Sequence, residues 1–427
     1  MSDWEVAGIM MHSTRGFGWI LVAVCLADQH EVAEAQQLPK ASLVATASLP
    51  GDTRDRTGWE GTLEEGTPIG QLGGFSAIEK IPGSEGLSGD ARSWIASYWV
   101  LSDRGPADGA ASYPCRVHQL RLQLDRQNGQ LTASVIDTLP LTREGKPCLG
   151  ALQALTPPGA PRGQALDPEG LRIGPQQSLW ISEEYGPSVD RFDGEGRWVA
   201  SLPLPPGFPL YRGDDLASAT EGTVPNRGLE GLAVSADGKR LTAIMQGPLV
   251  QDSQPLKDKR YGRFVRVLHW NLEQPDAVPV QQLYPLEDRS CGISEILAVD
   301  EDRFLILERD GEAGAEAKYK RIYLADFSSA SPVQSIDRLD PWTKPESLQI
   351  ASKRLVIDLL DPAYGFNGQK APEKPEGLAW HPSSDPTMRT LIVSFDNDFD
   401  AVRESLFMAF DIPESLLAAI PDVEASP

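Results

Sequence analysis

Short apolar runs alternate with tight polar turns along most of the chain, and several of those runs open on the same tripeptide. The stretch "NRGLEGLAVSADGKRLTAIMQGPL", from Asn226, reads as a strand, an Asp237–Gly238 turn and a second strand, the pattern of a β-hairpin. The unit recurs in "DPEGLRIGPQQSLWISEEYGP" from Asp167, "CGISEILAVDEDRFLILERDG" from Cys291 and "KPEGLAWHPSSDPTMRTLIVSFDNDFD" from Lys374. A fifth copy, "GFSAIEKIPGSEGLSGDARSWIASYWVLSDRGP" from Gly74, carries Ser76 where the others carry Glu. Further strand-like runs follow the hairpins, such as "YGRFVRVLHWNL" and "VPVQQLYPL" after one, or "KRIYLADF" and "KRLVIDLL" after another. Four antiparallel strands per unit, repeated radially, make a propeller blade. The pattern therefore predicts an all-β chain folded as a single β-propeller of five or six four-stranded blades, with residues 320–362 as the place for a sixth. The run "ASLVATASL" from Ala41 has no hairpin of its own and is expected to close the ring on the last blade, removing a bare sheet edge.

Glu is depleted in strands, so its return at the mouth of these runs asks for a reason. The first strand of a hairpin begins at the end where the second finishes. Glu169, Glu230, Glu295 and Glu376 are thus expected to ring the central channel on one face. Around them should stand the residues that end the second strands: Asp103 and Arg104, Glu183 and Glu184, Gln246, Glu308 and Arg309, Asp396 and Asp398. At about 8 Å and an effective dielectric of about 20, each pair of Glu carboxylates repels by roughly 2 kcal/mol. Relief comes from protonation, from pairing with Arg104, Arg227 and Arg309, or from a hard cation such as Ca²⁺, which takes oxygen ligands. Two roles stay open for the ring: binding that cation, or joining neighbouring blades through hydrogen bonds to their backbones.

A net charge of -22 without any Lys/Arg cluster argues against nucleic acid and anionic membrane surfaces as partners. Arg15, the mostly apolar run from Gly16 to Ala27 and the Ala33–Glu34–Ala35 before Gln36 read as a secretory signal over residues 1–35, too short to span a bilayer. Cleavage leaves a propeller domain over residues 41–427, exported to the periplasm or beyond the cell, without stable membrane insertion and expected to be a monomer. Outside the leader the cysteines are Cys115, Cys148 and Cys291, of which the first two are the nearer pair and the candidate disulfide.

The chemical inventory is narrow. No G-x-S-x-G occurs, and of the five histidines His12 and His30 fall in the leader, His118 and His269 in outer strands, and His381 at the far end of a hairpin. Neither a Ser-His-Asp triad nor a His-rich zinc site is expected. "DNDFDAVRESLF" from Asp396 starts like an EF-hand, but Ala401 stands where Gly is needed and Phe407 where a bidentate Glu is needed. Asp396 and Asp398 remain candidate cation ligands at the ring face.

Taken in order, "GFSAI…YWVLSDRGP", "DPEGLRI…LWISEEYGP", "NRGLEGLAVSADGKRLTAIMQGPL" and "KPEGLAW…LIVSFDND" resemble the family described as esterase-like activity of phytase, over residues 73–400. The resemblance implies a propeller and a phosphoester hydrolase. Joined to the residues, it yields an expectation of an exported phosphatase or phosphodiesterase acting on a small-molecule phosphoester. Ca²⁺ would be held by Glu169, Glu230, Glu295, Glu376, Asp396 and Asp398, because a bound cation lets phosphate approach the carboxylates. Glu230, Glu184 and Asp103 are the candidate catalytic groups, and Arg104, Arg309 and Arg227 the candidate phosphate contacts. A non-catalytic propeller that binds a ligand or protein on that face, and a lactonase-like metal-dependent esterase, are the alternatives.

Overall fold

The second strands of the hairpins, "LWISE", "RLTAIM", "RFLILER" and "MRTLIVSFD", are apolar almost without a break, and all four are buried along most of their length. A strand with that pattern is covered on both faces. The computed structural model of the chain describes residues 39–420 apart from residues 90, 155–162 and 258, and it supplies those covers by setting sheets against one another as blades. Blade 1 consists of Phe75–Lys80, Ser93–Ser102, Arg116–Asp125 and Gln130–Pro140, and blade 2 of Pro168–Ile173, Leu179–Glu183, Ser188–Phe192 and Trp198–Ser201. Blade 3 is Leu229–Val234, Arg240–Met245, Phe264–Asn271 and Val280–Pro285, and blade 4 is Gly292–Ala298, Arg303–Arg309, Lys320–Asp326 and Ser352–Asp358. Blade 5 takes Lys374–His381, Met388–Asp396 and Ser405–Pro413, then recruits Ser42–Leu49 as its outermost strand.

The first strand of each blade is innermost, and these five strands touch in sequence, blade 5 meeting blade 1 again, so the ring is closed. The core is correspondingly divided into apolar layers between blades. Leu101, Val117, Leu171 and Ile181 pack between blades 1 and 2, and Leu305, Leu324, Leu378 and Leu391 between blades 4 and 5. Outer strands face water on one side and return to alternation, as in Gln130–Pro140.

The edge expected to be covered is covered: Ser42–Leu49 runs antiparallel to Ser405–Pro413, from Ser42 opposite Asp411 to Leu49 opposite Ser405. The described residues form five blades. Residues 320–362 supply the two outer strands of blade 4, and the loop between them sends Val333, Leu339 and Leu348 against Phe264 and Leu283 of blade 3.

Cys115, Cys148 and Cys291 are buried free thiols. The pairing expected of Cys115 and Cys148 is made by their backbones instead, Cys115 N–H donating to the Cys148 carbonyl at 2.9 Å. The Cys115 thiol itself points at the Leu166 carbonyl, 3.4 Å away, within the layer between blades 1 and 2. The leader over residues 1–35 lies outside the described residues, among which no helix is long and apolar enough to cross a membrane.

Candidate functional site

Each innermost strand breaks register near its start. The ladder slips between Phe75 and Ala77, Pro168 and Leu171, Leu229 and Leu232, Ile293 and Glu295, and Pro375 and Gly377. A β-bulge leaves one residue unpaired and re-aims its side chain. Here the residues so placed are Ser76, Glu169, Glu230, Ser294 and Glu376, and all five line one cavity of about 220 Å³ at the channel mouth. The recurring carboxylate therefore marks a bulge that turns a side chain inward.

The Gly that follows has its own cause. A Cβ on Gly170 would lie 2.4 Å from the Glu230 carbonyl oxygen, and one on Gly231 would lie 2.4 Å from the Ile296 nitrogen. Neighbouring innermost strands approach too closely for a side chain there.

Blade 4 departs from that rule. Its bulged residue is Ser294, and Glu295 falls at the Gly position, one residue further along than the expected alignment with Glu230. A one-residue offset moves a side chain to another face. Glu295 is fully buried away from the cavity and accepts hydrogen bonds from the backbone N–H of Leu232 and Ile296. Its other oxygen faces Arg172 at 3.2 Å, and Arg172 also donates to the carbonyls of Leu171 and Ile296. Burial pushes the Glu295 carboxyl up to about 8 against the pull of Arg172. The pair ties blades 2, 3 and 4 together beneath the ring.

Around the bulged residues stand the ends of the second strands. Asp103, Arg104, Glu184, Gln246, Arg309 and Asp396 all reach the cavity, whereas Glu183 and Glu308, one residue earlier than Glu184 and Arg309, bond elsewhere. Ser76 donates to Glu169 at 2.6 Å, Gln246 donates to Glu230, and Arg309 pairs with Glu376 while donating to Ser294 at 2.9 Å. Arg104 pairs with Asp167 at 2.7 Å and donates to Asn226 at 2.8 Å. Lys374 pairs with Asp396 and with the exposed Asp398. Asp398 is thus held outside the cavity. The other expected residues, Glu183, Glu295 and Glu308 excepted, come together in it.

Asp167, Glu169 and Glu184 approach most closely, each offering an oxygen within 4.8 Å of the other two. The electrostatics are those of crowded acids. Burial, then Glu230, raises Glu169 well above the usual carboxylate range, and burial, then Glu184, does the same to Glu230. Burial and the nearby Asp167 push Glu184 up to about 8. Asp103 is raised by burial and by Asp396. Burial lifts Asp396 itself to about 6 although Lys374 pulls it down. The donor set is all oxygen and crowded with negative charge, which fits a hard cation and not a zinc site. His118, His269 and His381 are buried in the blades and bonded to Thr138, Thr242 and Tyr98.

Asp167, Asn226, Ser294 and Lys374 join the site without having been singled out as candidates. Asp167 and Lys374 carried a legible signal, since each lies two residues before a ring Glu and strand alternation returns it to the same side. Asn226 had none, being brought in by the loop ahead of blade 3.

The family model described as "Phytase-like: Esterase-like activity of phytase" matches residues 71–399. A protein of Arthroderma benhamiae described as "Uncharacterized secreted protein" is 27% identical over 385 residues, covering 74% of this chain and 72% of its own. Among solved structures, a putative glycosidase from Bacteroides thetaiotaomicron shares 11% identity at a TM-score of 0.35, covering 84% of this chain and 93% of its own. The PQQ-bound aldose sugar dehydrogenase from Streptomyces coelicolor shares 14% at 0.29, covering 88% and 95%.

Proposed function

For a chain that belongs to the phytase-like family, we propose the function of an exported, calcium-dependent phosphoester hydrolase, working as a monomer on a small-molecule substrate in the cavity at the channel mouth. The observation that carries this reading is the approach of Asp167, Glu169 and Glu184 to within 4.8 Å, Glu169 and Glu184 lining a cavity that guanidinium groups also line. Ca²⁺ held by those three carboxylates would polarise a phosphoryl oxygen and acidify a bound water. The protein's own groups do the rest. Arg104, bonded through both its backbone N–H and its guanidinium, fixes the Asp167 carboxylate. Glu230, oriented by Gln246 and raised by burial, is suited to accept a proton from water and return it to a leaving alkoxide. Arg309 holds Glu376, and Asp103 borders the same cavity. The leader and the secreted description of the Arthroderma relative support export.

The test is hydrolysis of phosphomonoesters and phosphodiesters by purified protein, with Ca²⁺ and with chelator. Turnover should require the cation and should fall at least about a hundredfold in Glu230→Gln, the lower end of what general acid–base groups supply. Activity indifferent to chelator would contradict the reading.

A further inference from the structure

Four cationic side chains line the cavity: Arg104, Arg227, Arg309 and Lys374. Three of them are engaged. Arg104 is held by Asp167 and Asn226, Arg309 by Glu376 and Ser294, and Lys374 by Asp396 and Asp398. Arg227 differs: its half-buried guanidinium has neither an ion pair nor a side-chain hydrogen bond among the described residues, while Glu184 and Glu230 lie within electrostatic reach.

The chain around Arg227 is fixed on both sides. Asn226, in the left-handed region at φ 55°, accepts from Arg104 at 2.8 Å, and the Gly228 N–H donates to Glu184. Gly247 leaves a lane for the side chain, since a Cβ there would sit 3.2 Å from both Cδ and Nη1 of Arg227. An unpaired guanidinium on a tied loop is pre-organised for a ligand that supplies the missing anion.

The walls also limit how much charge that ligand brings. Asp103, Glu169, Glu184, Glu230, Glu376 and Asp396 line the cavity and Asp167 stands beside Glu169, so seven carboxylates face four cations. A neutral ester leaves Arg227 unpaired. A dianion brings a second charge that no wall cation is free to meet. At about 220 Å³ the cavity lies below the roughly 300–1,000 Å³ of pockets for drug-sized ligands, which suits one phosphoryl group and its immediate arms.

Resting on the hydrolase reading above, we propose that the site selects a phosphate diester monoanion, with Arg227 as the specificity-determining contact to its non-bridging oxygens. Binding is measured by calorimetry at saturating Ca²⁺ and pH 8 with dimethyl phosphate, methyl phosphate and acetate. Turnover is measured separately with bis(p-nitrophenyl) phosphate and p-nitrophenyl phosphate. Dimethyl phosphate should bind most tightly, Arg227→Gln should weaken it about 10- to 100-fold, the range expected for a charged hydrogen bond, and Arg227→Lys should lose less. Gly247→Ala, which crowds the guanidinium without touching its charge, should weaken it too, and all three variants should keep the Ca²⁺ heat of the parent. In turnover, Arg227→Gln should raise KM for the diester far more than it lowers kcat. Methyl phosphate or acetate binding as well as the diester, no diester binding at all, or affinity unchanged in Arg227→Gln would overturn the proposal. Diester binding lost on Arg227→Gln while no ester is ever hydrolysed would support the subsite and refute the hydrolase reading.

Discussion

Adding one methyl group to the Glu-Gly-Leu repeat tests why the tripeptide exists. In Gly231→Ala the new Cβ would stand 2.4 Å from the Ile296 nitrogen and 2.7 Å from the Glu295 Cα, both backbone atoms of the adjacent innermost strand. Reaching an ordinary 3.4 Å contact requires blades 3 and 4 to part by about 1 Å at the channel wall. Gly170→Ala meets the Glu230 carbonyl oxygen at 2.4 Å and imposes the same displacement between blades 2 and 3. Gly377→Ala is milder, because its 2.4 Å contact is the rotatable Ser394 hydroxyl and its nearest backbone atom, the Ile78 nitrogen, is 2.9 Å away. Overpacking costs about 1–3 kcal/mol, and more where nothing can rotate aside. The expected losses are therefore about 3 kcal/mol or more for Gly170→Ala and Gly231→Ala, and about 1–2 kcal/mol for Gly377→Ala. Urea unfolding followed by both fluorescence and circular dichroism reads these as shifts in midpoint at constant slope. A Gly231→Ala protein as stable as the parent, or Gly377→Ala as the worst of the three, would refute the close-approach argument.

Two further outcomes follow from the fold. Removing the chain through Leu49 strips the outer partner from Ser405–Pro413, so the truncated protein should melt lower and aggregate on size-exclusion chromatography; an unchanged melting temperature would contradict ring closure. Burial holds His381 down at about 4 and His269 at about 3, below the usual value near 6.5, so the unfolded chain binds protons first as pH falls and each contributes a loss of about 1.4 kcal/mol per unit between 6.5 and its folded value. Between pH 7 and pH 5 the parent should lose melting temperature relative to His381→Gln, a comparison in which the raised buried carboxyls common to both proteins, which gain stability over the same range, cancel; parallel curves would reject this account.

The propeller was legible because its signals are local. Apolar second strands, polar turns and the Glu-Gly-Leu mouths repeat within single hairpins, and the unclaimed run at Ala41 had one edge left to cover. Blade number was harder, because the outer strands of blade 4 are separated by residues 327–351, whose packing against blade 3 leaves no periodic trace. At the site, Ser294 was hidden and Glu295 over-read for one reason: "SEIL" offers two polar residues at the mouth, and only the bulge decides which one turns inward. Arg104 and Arg309 could be placed from the ends of their strands. Their partners Asp167 and Glu376 come from the next blade around the ring, a relation that pairs residues far apart in sequence.

Calcium titration into chelator-stripped protein tests the central claim most directly, since it asks whether Asp167, Glu169 and Glu184 form one cation site irrespective of any substrate. Calorimetry should find a single strong site per chain in the parent and none in Glu169→Gln or Glu184→Gln. At about 100 times the dissociation constant, the cation should stabilise the parent by roughly 2.7 kcal/mol against unfolding and leave both variants where they were. Absence of binding to the parent, or equal binding in all three proteins, would contradict it.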